Sequence, residues 1–541
     1  MSFVANLVRN ANRGGALLSQ YPLGNAPLLL ADQRPWANNT PALDATGSGT
    51  RYDITSQAEA VALNWGNLQP GDVVNIYPLA NDEHYRLITR MWGQGTAQDR
   101  IIINGVVQNG KAPVFNAINA VPAQHDIDEY NGGWTTYQQH MEGRAIFHMW
   151  KGENVGPGPY PQNEQPRFIT IQNLDMRDAY EDYTYTSVSG ATVNYNRAAT
   201  GLWQSGTGST DIIFQFNSVD GMGNGLFFNS NAELEVSERW VIRRNRFING
   251  GTVGSNREHA LYCAGHDVLY EGNFIGPNKV GVLGGALKDR SSKMVCRYNV
   301  IYSAERNLDF VDTDHFAYLD ANGLFDEYDT AYCYGNILVN DHTRGTFAGR
   351  IVHWGGDNGI SGPTRSNYRI GTLHFFNNTI INNVPYSTRD RVGVFQIDTD
   401  GYAPDQVGTI EARNNIFLNV GDTNLIWNDS AAGTLNLEGA NVIDVNGADL
   451  YQDSDDRTSG TPSTTLNQNG TLIEQAITLR DPVNNDIFAR DFSIDPSDTS
   501  GALTAGTALP ASLSAYPVEQ QYLPHYQLEA RANTNKLGAL D

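Results

Sequence analysis

Along much of this chain, short apolar–polar alternations run up to an Asn and resume after it. The phrase reads VIRRNRFI (Val241–Ile248), VLYEGNFI (Val268–Ile275), MVCRYNVI (Met294–Ile301), AYCYGNIL (Ala331–Leu338), LHFFNNTII (Leu373–Ile381) and IEARNNIFL (Ile410–Leu418). With the shared Asn at zero, position +2 is apolar every time: Phe247, Ile275, Ile301, Leu338, Ile380 and Phe417. Position −3 (Ile242, Tyr270, Cys296, Cys333, Phe375, Ala412) carries no charge, and position −2 (Arg243, Glu271, Arg297, Tyr334, Phe376, Arg413) is mostly polar. Successive side chains of a strand point to opposite faces. A strand with one inward face, a bend at the Asn and a second short strand therefore account for all three columns. Recurrence at this period predicts stacked repeats, an all-β solenoid.

The anchors measure the coils. From Asn217 they follow at 28, 28 and 26 residues (Asn245, Asn273, Asn299), then at 37, 42 and 37 (Asn336, Asn378, Asn415), and return to 26 at Asn441. Three consecutive coils thus carry roughly ten to fifteen extra residues each, and such insertions map to loops on one face, often the binding face. The anchors themselves, Asn173 and Asn217 included, are expected to form an internal hydrogen-bonded ladder. Cys296 and Cys333 share the −3 column and read as a buried thiol pair, with one stacked disulfide as the alternative.

The ends read differently. Residues 1–51 are rich in Pro, Asn and Gly clusters and are expected to be an attachment or capping segment. A short helix is predicted over Ser56–Leu68, with Ser56 as N-cap and Glu59 completing a capping box. It would cover the open end of the solenoid over 52–445, whose first coil otherwise presents an unpaired edge. QPGDVVNIYPL (Gln69–Leu79) reads as a Gly-Asp turn into a strand. Residues 446–541 form a turn-rich closing segment expected to fold back along the coils and cover the last one. The lone histidines His84, His148 and His374 read as structural residues.

Composition narrows the partners. Lys and Arg number 36 against 59 Asp and Glu, a net charge of −23. Duplex DNA and anionic membrane surfaces would repel such a chain, so no nucleic acid and no membrane insertion are expected. No stretch of about 18 apolar residues is present. The first 30 residues lack a continuous apolar core and a clear cleavage site, which makes a poor signal peptide. Export by another route or by cell lysis follows as an expectation. Three cysteines are too few for a disulfide framework.

GTAQDRIIINGV (Gly95–Val106) resembles the opening coils of right-handed parallel β-helix proteins, where a GTxxxPIxIxG phrase follows a GDxVxxxPGxY strand. The end, with Phe492, Ile494, Gly501, Gly506 and Gly538–Leu540, resembles the closing phrase of many such proteins. From about residue 52 to 541 the chain is similar to the pectate-lyase-like, right-handed parallel β-helix superfamily. That superfamily includes polysaccharide lyases, polygalacturonase-like hydrolases and phage tailspikes. A stretch from Arg257 to Ile301 also bears a distant likeness to alginate and chondroitin lyases. These carry a Lys general base nine residues before the Asn of an RYN phrase. Arg290 stands there in this chain, with Lys288 two residues earlier, and an Arg is a poor base because it stays protonated.

The candidate chemistry comes from aligning the strands that follow each anchor: HALYCAG, GALKDRS, LDFVDTD, RIVHWGG and VFQIDTD. Their third column (Leu261, Leu287, Phe310, Val352, Gln396) is expected inward and their fourth (Tyr262, Lys288, Val311, His353, Ile397) outward. On this alignment Tyr262 and Lys288 would nearly touch. Beyond the strands lie Arg290, Asp312, Asp314, Trp354, Asp398 and Asp400, with Arg350 opening one of them. Such a surface suits a polysaccharide, since aromatic faces pack on sugar rings and cations hold uronate carboxylates. Two chemistries fit. Asp309, Asp312 and Asp314, with Asp398 or Asp400 across a rung, could hydrolyse a glycosidic bond as paired carboxylates. Alternatively Lys288, Tyr262 or His353 could take a proton beside a uronate while Arg290 neutralises its carboxylate. No cofactor is expected, and calcium held by the Asp group is the alternative.

The expected function is that of a tailspike-like protein that binds, and as a further step depolymerises, a bacterial surface polysaccharide. The resemblance implies a homotrimer on the virion tail, joined to other tail proteins through its N-terminus. The alternatives are a secreted polysaccharide lyase or glycoside hydrolase, and a non-enzymatic receptor-binding or structural spike.

Overall fold

In a computed structural model of the chain, the residue before the anchor Asn makes the bend at every anchor from Asn217 to Asn415, and at Asn441 the bend falls one residue earlier, on Gly439 (φ 59°). Phe216, Arg244, Gly272, Tyr298, Gly335, Asn377 and Asn414 all take the left-handed conformation, with φ between 53° and 65°. This costs a non-glycine residue roughly 1–2 kcal/mol, and the hydrogen bonds of the Asn that follows offset it. Gly335 has a further reason to lack a side chain, because a Cβ there would lie 2.6 Å from the Tyr298 ring. Asn173, expected as an anchor, occupies the left-handed position itself (φ 58°), and Leu174 fills the anchor's place. The slip arises because Asn is one of the few residues suited to both positions.

The structure describes residues 45–150, 165–205, 208–230, 236–303, 305–341, 350–357, 367–383, 393–397, 408–419, 424–428, 433–444, 451–453, 465–475, 477–481, 490–523, 527–533 and 535–541. Two compact units divide the described residues, one lying within Leu29–Leu269 and Asp314–Asn322, the other within Tyr270–Thr313 and Gly323–Asp541. Each is built of right-handed parallel β-helix coils, and each coil has three short strands.

In the N-terminal unit the first strands Arg51–Ile54, Val73–Ile76, Ile101–Gly105, Arg167–Gln172, Thr210–Gln215 and Glu238–Arg243 pair in parallel, one coil to the next. The helix Gln57–Ala62 carries the predicted Ser56–Glu59 capping box. Trp65, just beyond it, is fully buried with its ring edge-on to Phe147. Outside the first strands runs a chain of side-chain amides. Arg243 donates to Gln215, Gln215 to Gln172, Gln172 to Asn104, Asn104 to Asn75 and Asn75 to Asp53, at 2.6–3.3 Å. A cation thus closes the acceptor end and a carboxylate the donor end.

In the C-terminal unit the same pattern recurs. First strands from Ser292–Arg297 to Thr465–Gln468 pair in parallel, as do second strands from Phe274–Ile275 to Thr471–Glu474. The predicted columns hold. Every −3 and +2 residue of the repeated phrase is buried, and Cys296 lies opposite Cys333 with both thiols free. The anchors form the expected ladder. The backbone N–H and Nδ2 of Asn273 both donate to Oδ1 of Asn299, at 2.9 and 3.0 Å. The same pair of bonds links Asn299, Asn336, Asn378, Asn415 and Asn441 in turn.

Two outward −2 residues, Tyr334 and Phe376, are buried as well. The C-terminal segment covers them: Leu513 and Val518 pack with Tyr298, Tyr334 and Phe376. Asn377 and Asn414 donate to the carbonyls of Lys536 and Thr507, at 2.6 and 2.7 Å. The segment therefore lies along the bends of these central coils.

Candidate functional site

The third strands carry the candidate chemistry. In the C-terminal unit, Leu287–Asp289, Leu308–Phe310, Arg350–Trp354 and Gly393–Ile397 pair in parallel. Their register sets Leu287, Leu308, Val352 and Phe395 in one inward column, and Lys288, Asp309, His353 and Gln396 in the neighbouring outward one. This corrects the alignment drawn from sequence. LDFVDTD slips by two residues, which brings Asp309 rather than Val311 into line with Lys288. VFQIDTD slips by one, which moves Gln396 from the inward to the outward column. A slip of two leaves every side chain on its own face, so alternation cannot detect it.

The corrected column is an ion network. Lys288 Nζ lies 3.1 Å from Asp309 Oδ2, Arg306 reaches Asp309 Oδ1 at 2.8 Å, and His353 Nδ1 lies 2.7 Å from the same oxygen. Burial alone would push the Asp309 carboxyl up, but Arg306, Lys288 and His353 outweigh it and hold it well below the usual carboxylate range. Asp309 is thus ionised, and the imidazole presents its Nδ1 proton to it. Burial pulls the Lys288 ammonium down, yet Asp309 and Asp357 raise it above its ordinary value. Lys288 is accordingly a fixed cation, not a base poised to take a proton.

Arg290 extends the network. Its Nη1 pairs with Asp312 Oδ2 at 3.2 Å and its Nη2 with Asp357 Oδ1 at 2.9 Å, while Asp357 Oδ2 contacts Lys288. The backbone N–H of Asp357 donates to Asp312 Oδ1 at 2.7 Å. Asp357 went unnoticed in the sequence because GGDNG reads as an ordinary turn. The signal available was its place just beyond His353, on the coil with the longest anchor spacing.

Behind these groups, Arg369 is completely buried. It donates to the carbonyls of Val311, Tyr328 and Ser291 at 3.1, 3.2 and 2.7 Å, and pairs with Asp289 at 3.3 Å. Tyr270 donates to Asp289 at 2.6 Å. One guanidinium thereby fixes the turns that follow Asp289 and Phe310, and with them Arg290 and Asp312.

The other sequence candidates fall elsewhere. Trp354 is fully buried with Arg369 over its ring. Asp314 is exposed and belongs to the N-terminal unit. So does Tyr262, the last ring of a stack in register down the third strands: Trp203 on Phe227 at 3.9 Å and Phe227 on Tyr262 at 5.4 Å. The side chain of Arg350, and Asp398 and Asp400 altogether, lie outside the described residues. Among the described residues no group of three or more His, Cys, Asp or Glu is disposed to hold a metal ion. None of the described helices is long and apolar enough to cross a membrane. His148 is buried against Tyr137, and burial pulls it down to about 3.

Chemically, the network can hold an anion on Lys288 and Arg290 and can orient one imidazole through Asp309. Comparison with known proteins gives no matching family model and no matching curated protein.

Proposed function

We propose that the protein is a tailspike-like spike that binds a bacterial surface polysaccharide through the third-strand face of its C-terminal unit. The outward column Lys288–Asp309–His353–Gln396 carries this reading. Its four members differ in kind, whereas the inward column beside it, Leu287, Leu308, Val352 and Phe395, is apolar at every coil. Lys288 and Arg290 suit the carboxylate of an acidic sugar. Depolymerisation is the further step. In it His353, oriented at Nδ1 by Asp309, exchanges a proton at its other ring nitrogen, the role for which a carboxylate-held imidazole is suited. Asp309, held ionised by Lys288 and Arg306 and by the hydrogen bond from His353, serves as the orienting group rather than as a proton donor. Attachment through residues 1–51, a homotrimeric assembly and a place on the virion tail rest on the resemblance to tailspikes.

Incubation with a panel of capsule and lipopolysaccharide chains tests the reading. Retention of one acidic chain is expected, together with new reducing ends or absorbance in the unsaturated-uronate band. His353→Ala should lower any cleavage by about 10²–10⁴-fold while sparing binding. The near-complete burial of the charged groups favours a second outcome, binding without cleavage, which would keep the spike and remove the enzyme. Retention of no chain would overturn both. Native light scattering should give three times the 59.4 kDa chain mass, and a stable monomer would remove the trimer.

A further inference from the structure

In a solenoid each coil touches only its neighbours, so an element that spans several rungs makes a connection of another kind. The C-terminal segment of this chain is such an element, and it has two limbs. In the first, Leu513 and Val518 pack with Tyr298, Tyr334 and Phe376, and Tyr298 donates to the Pro517 carbonyl at 3.1 Å. Tyr516 stacks on Tyr332 at 3.5 Å, and Tyr332 in turn on His374 at 5.1 Å. Thr507 gives both its N–H and its hydroxyl to Asn414 Oδ1, each at 3.0 Å.

The second limb is the last few residues. Gly538 N–H donates to the Asn414 carbonyl at 2.8 Å, and Ala539 N–H to Thr379 Oγ1 at 3.0 Å. It is seated closely, since a Cβ on Gly538 would lie 2.6 Å from Ile416. Arg531 is buried and closes this limb on itself, donating to the carbonyls of Asn533, Lys536 and Gly538 and pairing with Asp541 at 3.1 Å.

The rungs it spans are a particular set. Tyr298, Tyr334, Asn377 and Asn414 stand at or beside the bends of Asn299, Asn336, Asn378 and Asn415, the four anchors that bound the three long coils. The third strands that follow the first three of these anchors carry Asp309, His353 and Gln396. Longer connections within a coil cost more entropy to close. The coils most in need of an added restraint are thus the ones that have it.

We infer that the C-terminal segment is a clasp that joins the three long coils into one cooperative block and thereby holds His353 against Asp309. The inference concerns the geometry of the site and stands apart from the identity of its ligand. Coupling of this kind requires an element with two arrangements, and the clasp, docked or released, is that element. Inside the coil, Phe375 meets Phe395 edge-on at 5.3 Å, which joins the strand beneath the clasp to a third strand.

Hydrogen exchange read by mass spectrometry on the full chain tests the inference. Leu513→Asp/Val518→Asp drives charge into the apolar contact and releases the clasp. Exchange should then rise about tenfold or more in Thr330–Tyr334, in Thr372–Phe376 and, across the coil, in Arg350–Trp354, and stay unchanged in Thr210–Gln215 of the N-terminal unit. A rise confined to the C-terminal segment would make it a passive cover and overturn the inference. An equal rise in Thr210–Gln215 would mean general loosening and overturn it as well. Proton NMR adds a signature of the pair itself. The His353 Nδ1 proton held by Asp309 should give a far-downfield signal in wild type that is lost in the variant, and its persistence would free the site from the clasp. Tyr516→Ala, which removes only the stack on Tyr332, carries the same tests if the double variant does not fold. Failure of the polysaccharide panel leaves these measurements untouched, so the two readings fail separately.

Discussion

Two columns of the C-terminal unit run up the same coils and are built on opposite plans. The anchor column is Asn at six successive rungs, and each rung makes the same two bonds to the next. The outward third-strand column is Lys288, Asp309, His353 and Gln396, with no two members alike. Both are buried and polar, so both must satisfy their groups internally. The first does so by repetition, in which every residue is donor to one neighbour and acceptor from the other. The second does so by complementarity, in which a cation answers a carboxylate and an imidazole closes the set. A repeating column is indifferent to which coil it occupies and serves the solenoid. A column that changes at each rung singles out one place along it.

The sharpest way to break the comparison is to interrupt the repeat. Asn336→Leu keeps the volume but removes the acceptor for both donors of Asn299, one of the two donors to Asn378 Oδ1 and the donor to the Cys296 carbonyl. With each buried orphan costing roughly 1–3 kcal/mol, the variant should lose about 5 kcal/mol of stability. Chemical denaturation followed by circular dichroism measures it. A loss comparable to that of an exposed substitution would mean that the ladder follows from the fold without supporting it.

Removing one member of the unlike column should cost slightly less and change its pH dependence. Asp309→Asn leaves Lys288, Arg306 and His353 facing a neutral amide, and breaking a buried pair from one side costs about 3–5 kcal/mol. In wild type, burial, outweighed by Arg306, Lys288 and His353, leaves Asp309 depressed below its unfolded value. Its contribution is therefore complete above the unfolded carboxylate pKa, about 4, and is lost as pH falls through the lower folded value. Asp126, Asp178 and Asp289 are raised, chiefly by burial, and act in the opposite sense. Hence the difference between wild type and Asp309→Asn is the quantity to follow. It should be constant from pH 7 to about 5 and shrink below about pH 4. A difference that does not shrink in acid would mean that Asp309 acts by packing rather than charge.

The same contrast decided what could be read from the sequence. The anchors and their apolar columns were legible because each coil repeats them, so six weak signals supported one register. The third strands gave no such help. Leu308–Phe310 spans three residues and lies a variable distance from its anchor, and a two-residue shift leaves Phe310 as plausible inside as Leu308. Lys288, Asp309 and His353 were recognised as chemistry, but their alignment needed backbone pairing. Asp357 and Arg369 were missed because their partners are 41–80 residues away in sequence. Tyr334 and Phe376 broke the polar −2 column for a reason of the same kind, since the segment that covers them lies beyond residue 500.

The smallest expected effect sharpens the idea of indifference within a repeating column. Position −3 holds Ile242, Tyr270, Cys296, Cys333, Phe375 and Ala412, all buried, so its requirement is an uncharged side chain of whatever size the coil admits. Cys333→Ala should then cost only about 1 kcal/mol, the range for removing one buried heavy atom from a core that relaxes in part. The thiols of Cys296 and Cys333 also sit beside the ladder, accepting from Asn299 and Asn336 Nδ2 at 3.4 and 3.3 Å. Burial pushes the Cys333 thiol well up, which keeps it protonated and unreactive. All three cysteines should therefore resist a thiol reagent in the native protein and react together once the coils are unfolded. A reducing agent should leave the melting temperature unchanged. A melting temperature that falls on reduction would instead reveal a Cys296–Cys333 cross-link. The −3 column would then hold one pair chosen for its chemistry, and the line between repeating and unlike columns would have to be redrawn inside the core.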